Sequence, residues 1–150
     1  MFKFDHLAIQ TDDIENTVRW YKDFFHCEEN WKLTEFSDLT LQRLPSITKL
    51  VELQTGNFKI HIFDINSDNC VVPATAVQYQ HFCIEISEIN QLEELKTCWL
   101  NLYESGLYKF KRHEKATDIV TDKDGISSFY CYDINGLEFE VMYKPQPKKT

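Results

Sequence analysis

An internal repeat constrains this chain more than any other feature of its sequence. Residues 6–14 (HLAIQTDDI) align with residues 81–89 (HFCIEISEI), and each stretch opens on a histidine. Apolar and mixed residues alternate in both stretches, which is typical of a β-strand with one buried face. Self-similarity of this kind indicates a fold built from two copies of one unit.

An amphipathic helix is predicted after the first strand of each copy. The apolar residues recur at spacings of three and four, as one buried helix face requires: Ile14, Val18, Tyr21 and Phe25, then Leu92, Leu95, Trp99 and Leu102. Residues that favour helix starts precede them, namely Thr11 or Asp12 in the first copy and Ser87 or Asn90 in the second.

Strand-like runs follow each helix. They are 39–44, 49–54 and 58–65 in the first copy, and 108–112, 127–132 and 137–143 in the second. Turns are predicted at 55–57 and at 133–136, where Asn-Gly supplies the positive φ that a tight hairpin needs. Each copy therefore has the element order β-α-β-β-β.

Neither copy is long enough to cover both faces of a four-stranded sheet alone. We therefore predict an α+β fold in which two tandem βαβββ modules form one incomplete mixed β-barrel around a metal cleft. The whole chain, 1–150, is predicted to be one domain, with module one at about 1–66 and module two at about 78–144. The polar stretch 66–69, followed by Pro73, is the expected connection, and 144–150 is a basic tail.

Strand alternation places four metal-binding residue types at equivalent positions of the two copies. His6 and His81 begin the first strands, on the face away from the helix, and His61 and Glu140 occupy matching positions in the last strands. Imidazole nitrogen and carboxylate oxygen are ligands of first-row divalent metals. The pattern therefore predicts one divalent metal bound by His6, His61, His81 and Glu140, whereas His26 and His113 match nothing and are expected at the surface.

At the level of motifs the chain resembles the vicinal oxygen chelate superfamily. This superfamily includes glyoxalase I, methylmalonyl-CoA epimerase, extradiol dioxygenases and the fosfomycin and bleomycin resistance proteins. The matching segments are FDHLAI (4–9) with Trp20-Tyr21 downstream, IHIF (60–63), HFCI (81–84) and FYCYDINGLEFEV (129–141). The resemblance covers nearly the whole chain, but one scaffold of this kind hosts many chemistries.

The resemblance implies His6, His81 and Glu140 as metal ligands. His61 occupies the position where glyoxalase-like members carry Glu and epimerase-like members often carry Gln. The chemistry implied is Lewis-acid proton transfer, of the isomerase or lyase type, on a small substrate chelated through two vicinal oxygens. The metal itself (Fe, Zn, Ni, Co or Mn) is not distinguishable from the sequence.

Two other activities remain open. A set of two histidines and one carboxylate is the pattern of Fe(II) oxygenases, and an extradiol-type dioxygenase is the first alternative. If His61 is also a ligand, a chelating substrate fills the last two positions of six-coordinate iron, and O₂ cannot bind. The second alternative is a resistance-type protein that binds a small molecule without chemistry.

Further residues are expected around the cleft. Glu140 or Glu85, which shares a strand face with His81, is the expected proton acceptor. The expected substrate-binding wall is aromatic: Trp31, Phe36, Tyr108 and Phe110. No Gly-rich loop or basic cluster accompanies the site, so a small aromatic or keto compound is favoured over a CoA thioester.

Charge and cysteine usage limit the partners and the compartment. The net charge of −8 disfavours nucleic acid as a partner. No apolar run is long enough for a membrane span. Five cysteines, an odd number without a close pair, favour free thiols and a cytoplasmic location. We also expect a homodimer, by analogy with small relatives.

Overall fold

Two compact units, 1–75 and 76–150, make up the chain in the computed structural model. The structure describes residues 4–65 and 80–146. The predicted connection at 66–69, Pro73, Cys70 and tail residues 147–150 lie outside the described residues.

The first unit is a four-stranded mixed sheet with one long helix. Its elements are β1 (Leu7–Thr11), α1 (Ile14–Phe25), β2 (Glu28–Leu33), α2 (Asp38–Arg43), β3 (Ile47–Thr55) and β4 (Phe58–Ile65). The strand order is β1-β4-β3-β2. Strands β1 and β4 are parallel, and the other neighbours are antiparallel.

The second unit repeats this topology. Its elements are β5 (Phe82–Ile86), α3 (Asn90–Glu104), β6 (Val120–Thr121), β7 (Ser127–Tyr132) and β8 (Glu138–Tyr143). The strand order is β5-β8-β7-β6, and β5 and β8 are parallel. The predicted α+β class, with two βαβββ modules carrying mixed sheets, is confirmed.

Two of the predicted strands are wrong. Residues 39–44 belong largely to the short helix α2, where Ser37 accepts a hydrogen bond from the Thr40 backbone N–H and so caps the first turn. The outer strand of that sheet is β2 instead. Residues 108–112 form no strand; Phe110 of this segment contacts Trp99 of α3, and the outer strand of the second sheet is the short β6.

Helix α1 covers one face of the first sheet. Trp20, Tyr21 and Phe24 are fully buried, as are Ile60 and Ile62 of β4. The helix begins after Asp13, whose side chain accepts from the Asn16 backbone N–H, so the predicted caps Thr11 and Asp12 are wrong by one or two positions. This packing leaves His61 and its row of neighbours on the other sheet face.

Helix α3 covers one face of the second sheet in the same manner. Leu92 and Trp99 are buried with Phe129 and Phe139, and the Trp99 indole Nε1 donates to the Tyr132 carbonyl at 2.9 Å. Ile89 precedes α3 without a side-chain cap, so neither Ser87 nor Asn90 is the cap.

The described residues also bear on the turns, the thiols and the membrane question. Gly56 and Gly136 have φ of 53° and 84°, as the two predicted turns require. The four described cysteines are free thiols: Cys27, Cys83, Cys98 and Cys131. None of the helices within 4–65 and 80–146 combines the length and the apolar character of a membrane span.

Candidate functional site

One row of side chains crosses the first sheet on the face opposite α1. The register aligns Ala8 of β1 with His61 of β4, Glu52 of β3 and Trp31 of β2. Nε2 of His61 lies 2.6 Å from Oε2 of Glu52, and the rings of Trp31 and His61 meet edge to face at 5.0 Å. We call His6, His61, Glu52 and Trp31 the first histidine cluster.

Glu52 is the buried acid of this cluster. Glu52 is only 7% exposed, and its second oxygen, Oε1, accepts a hydrogen bond from Nδ2 of Asn30 at 2.8 Å. The Asn30 amide and then the His61 ring hold the pKa of Glu52 below its usual value, although burial acts in the opposite direction. Glu52 is therefore a carboxylate, and the His61 Nε2 facing it carries a hydrogen.

His6 lies against His61 and has its own carboxylate partner. The two imidazole rings stack at 3.7 Å with 14° between their planes, and Nδ1 of His6 donates to Asp5 at 2.8 Å. Hydrogen bonds from His6 and from Lys59 lower the pKa of Asp5 to about 2. A histidine bonded to a carboxylate through one nitrogen is oriented to bind metal through the other.

The stacking of His6 on His61 limits how the two rings could share one metal ion. The lone pair of an imidazole nitrogen lies in the ring plane, and two planes stacked at 3.7 Å and only 14° from parallel do not meet close to the two rings. His61 also directs Nε2 at Glu52 rather than at an open position. In this arrangement His6 fits as a ligand, whereas His61 fits as its neighbour.

The second sheet carries an equivalent row. Its register aligns Cys83 of β5 with Glu140 of β8 and Tyr130 of β7. His81, just before β5, has Nε2 at 3.5 Å from Oε2 of Glu140 and Nδ1 at 3.7 Å from Oε1 of Glu138. We call His81, Glu140, Glu138 and Tyr130 the second histidine cluster.

The distance between His81 and Glu140 fits two ligands of one ion. Bonds of about 2.1 Å in tetrahedral geometry separate neighbouring donor atoms by about 3.4 Å. The observed 3.5 Å is too long for a good hydrogen bond and close to that separation. The buried Nδ1 of His81 also has no hydrogen-bond partner within the described residues.

Two neutral donors stand beside Glu140. Burial and then a hydrogen bond to the Glu140 carboxylate raise the pKa of Tyr130. Burial and then the Glu140 charge raise the pKa of Cys83 to about 12, although part of this side chain is exposed. Both groups stay protonated at neutral pH, so each offers a hydrogen-bond donor to the Glu140 side chain.

The two clusters are each partial. Within residues 4–65 and 80–146, no group of three or more His, Cys, Asp or Glu side chains is already gathered at metal-binding distances. The first cluster offers His6, and the second offers His81 with Glu140. The residue types and the local geometry in each unit suit part of a ligand set.

Several solved structures resemble this chain in fold. No protein-family model matches the sequence, and no curated protein does. A glyoxalase/bleomycin resistance protein/dioxygenase domain from a Frankia species matches with a TM-score of 0.69 at 14% identity, over 97% of this chain and 99% of that one. A lactoylglutathione lyase from Agrobacterium tumefaciens matches with a TM-score of 0.60 at 21% identity, over 94% and 92%.

The fosfomycin resistance protein FosX from Listeria monocytogenes, in complex with Mn(II) and sulfate, matches with a TM-score of 0.60 at 16% identity, over 97% and 94%. This chain has the vicinal oxygen chelate fold. The resemblance found in the sequence motifs is thereby confirmed for the architecture. At these identities the likeness shows the fold and leaves the activity of this chain to its own residues.

Within this vicinal oxygen chelate fold, two predicted cleft residues do not join the clusters. Glu85 is half exposed and pairs with Lys144 at 3.2 Å. At the rise of a β-strand it stands about 13 Å along the chain from His81. Phe110 packs against Trp99 on α3, on the other side of the sheet from His81.

The other residues predicted to line the substrate-binding wall lie in different parts of the two units. Trp31 contacts His61, as described, and Phe36 lines a pocket of about 360 Å³ in the first unit. Tyr108 is half-buried in the irregular segment after α3. His26 and His113 are both exposed, as expected for histidines without a place in the repeat.

Sequence reasoning missed Glu52 and Asn30. One signal was present: Glu52 interrupts an otherwise apolar stretch of β3, and a lone charge there requires a partner once buried. Asn30 carried no such signal. It reaches Glu52 because the pairing of β2 with β3 is irregular between Glu29 and Trp31. No pattern in the sequence predicts this irregularity.

Proposed function

We propose that this chain is a metal-dependent enzyme of the glyoxalase-like type, which transfers a proton on a small substrate chelated through two vicinal oxygens. His6, His81 and Glu140 bind one divalent metal per chain. The observation that carries the proposal is the 3.5 Å separation of His81 Nε2 and Glu140 Oε2, which suits two donors of one ion. The Mn(II) complex of the structurally similar FosX supports a divalent cation on this fold.

His6 completes the ligand set because it is the repeat equivalent of His81. Its Nδ1 is bonded to Asp5, so the orientation of the ring and the hydrogen on that nitrogen leave Nε2 for the metal. His81 has an acid, Glu138, on the corresponding side. Each ligand histidine therefore has a carboxylate behind it.

In this proposal His61, hydrogen-bonded to Glu52, is the residue that accepts and donates the transferred proton. A bound divalent cation supplies Lewis-acid polarisation of the two substrate oxygens. His61 Nε2 holds a hydrogen against Glu52 Oε2 at 2.6 Å, and this hydrogen bond fixes the orientation of the ring. The pair replaces Glu85, which its ion pair with Lys144 keeps at an exposed edge.

A second candidate activity is extradiol-type dioxygenation. The observation that favours it is the His61–Glu52 hydrogen bond, because a His61 engaged by Glu52 leaves only three protein ligands. His6, His81 and Glu140 would hold Fe(II) and would leave room on it for a bidentate substrate and O₂.

Metal content tests the ligand assignment. Protein purified without chelator should carry about one divalent metal per chain, and His81→Ala and Glu140→Gln should each lose it. His113→Ala and Glu88→Gln are the matched controls, since both residues are exposed and neither belongs to a histidine cluster. Full metal content in both site variants would refute the assignment.

A protein that binds no divalent metal even on titration would instead be a non-catalytic small-molecule binder of the resistance type. For metal-loaded protein, oxygen uptake separates the two enzymatic candidates. Fe(II)-loaded protein given 4-methylcatechol consumes O₂ if it is a dioxygenase, and a proton-transfer enzyme does not.

A further inference from the structure

A pocket of about 360 Å³ opens on the first sheet beside the first histidine cluster. Strand residues Leu33, Leu50 and Phe63 form its floor, and the segment around α2 forms its wall, with Glu35, Phe36, Ser37, Thr40 and Leu44. Its volume is near the lower end of the range for small-molecule sites.

The pocket and His61 share one face of the sheet. Phe63 follows His61 by two residues on β4, and Leu50 precedes Glu52 by two residues on β3. Residues two apart on a strand point to the same side and lie about 7 Å apart. A ligand with its polar end at His61 therefore reaches this pocket with its far end.

The chemistry of the lining selects against charged groups. None of the described lining residues carries a positive charge, and the one acid among them is Glu35, which is exposed. The Ser37 and Thr40 hydroxyls lie 3.1 Å apart and bond to each other, so only one hydroxyl hydrogen of this pair is left for a ligand or for water. What remains is a wall of Leu and Phe side chains.

We infer that this pocket binds the uncharged, apolar part of a small substrate, such as an aromatic ring or a branched alkyl group. The inference rests on the proposed function, which puts the two chelating oxygens of the substrate near His61. It adds the chemical class of the part of the substrate that does not react. An anionic tail, whether thiol-peptide, phosphonate or nucleotide, meets no cation among the described lining residues and is repelled by Glu35.

Two fluorescent probes with one ring skeleton test the class of ligand. N-phenyl-1-naphthylamine is uncharged, and 1-anilinonaphthalene-8-sulfonate adds a sulfonate to the same rings. Metal-free protein should bind the uncharged probe at least about tenfold more tightly. Equal or tighter binding of the sulfonate would overturn the inference.

Substitutions on α2 test whether the uncharged probe binds in this pocket. Thr40→Phe fills the pocket and should weaken binding of the uncharged probe by about tenfold or more, and Thr40→Lys should shift the preference toward the sulfonate. Leu39→Phe and Leu39→Lys are the matched controls, because Leu39 is 65% exposed on the same helix and does not line the pocket. Equal effects at both positions would overturn the inference.

A second lining position keeps the test valid if Thr40 variants do not fold. Leu33→Lys places a charge on β2, at a residue that is already 45% exposed, and should act like Thr40→Lys. Probe affinity and metal content are measured separately. Loss of probe selectivity with intact metal binding overturns this inference alone, and absence of metal with intact selectivity overturns the proposed function alone.

Discussion

Replacing Glu52 by Gln removes the buried negative charge of the first histidine cluster while keeping the size of the side chain. In the native chain the carboxylate accepts from Nδ2 of Asn30 at 2.8 Å and from Nε2 of His61 at 2.6 Å. The amide has one oxygen to accept with, so one of these two donors then faces an NH₂ group. Glu52→Gln should therefore reduce the free energy of unfolding.

The size of the loss follows from the hydrogen bonds. A hydrogen bond to a charged group contributes about 1.5–3 kcal/mol. Asn30 keeps a second acceptor, Oε1 of Gln54 at 2.8 Å, so the loss falls on His61. We expect a reduction of about 2 kcal/mol at neutral pH, somewhat offset because burying an amide costs less than burying a carboxylate.

The pH dependence of this loss has a definite sign. The pKa of Glu52 is held below its ordinary value of 4.5, so its contribution to stability is fully present above that pH. The contribution disappears as the pH falls through the lowered pKa of the folded state. Glutamine does not titrate, so the difference between the two proteins should be constant above about pH 5 and shrink below about pH 4.

Urea unfolding followed by tryptophan fluorescence measures both predictions. The matched control is Glu15→Gln, the same change at an exposed ion pair, since Glu15 accepts from Lys49 at 2.6 Å with 81% of its side chain exposed. That pair should contribute less than about 1 kcal/mol. If Glu52→Gln costs no more than the control, or if its cost does not shrink in acid, the account of Glu52 is wrong.

Three further predictions concern the second unit and the assembly. The Asp133 side chain accepts from the backbone N–H groups of Asn135 and Leu137, at 2.9 and 2.8 Å. Asp133→Ala removes this acceptor and should lower the free energy of unfolding by about 2–4 kcal/mol, measured by thermal melting. Asp133→Asn keeps an acceptor oxygen and should lose less stability. Trp99→Phe loses the hydrogen bond to the Tyr132 carbonyl and leaves a cavity, so it should cost about 2–3 kcal/mol in urea. Light scattering at micromolar concentration should find a homodimer, and a monomer would contradict that expectation.

Local patterns predicted the type of element correctly at β1, α1, β5 and α3, where one face of the element is buried. Alternation in the stretches from His6 and His81 predicted β1 and β5, and the spacing of large apolar residues predicted α1 and α3. The same reasoning failed at residues 39–44. There Leu39 and Leu41 are exposed, so their spacing carries no information on burial, and the Ser37 cap favours a helix.

The sequence by itself determined the two βαβββ modules and the equivalent positions of His6, His61, His81 and Glu140, because periodicity records which side chains face a core. Only the tertiary structure decided that His61 bonds to Glu52, that His6 stacks on it, and that a Leu- and Phe-lined pocket opens next to them. These contacts depend on which residues the strand register sets opposite each other and on an irregularity between Glu29 and Trp31. Register between strands is a property of the assembled sheet, and single strands do not encode it.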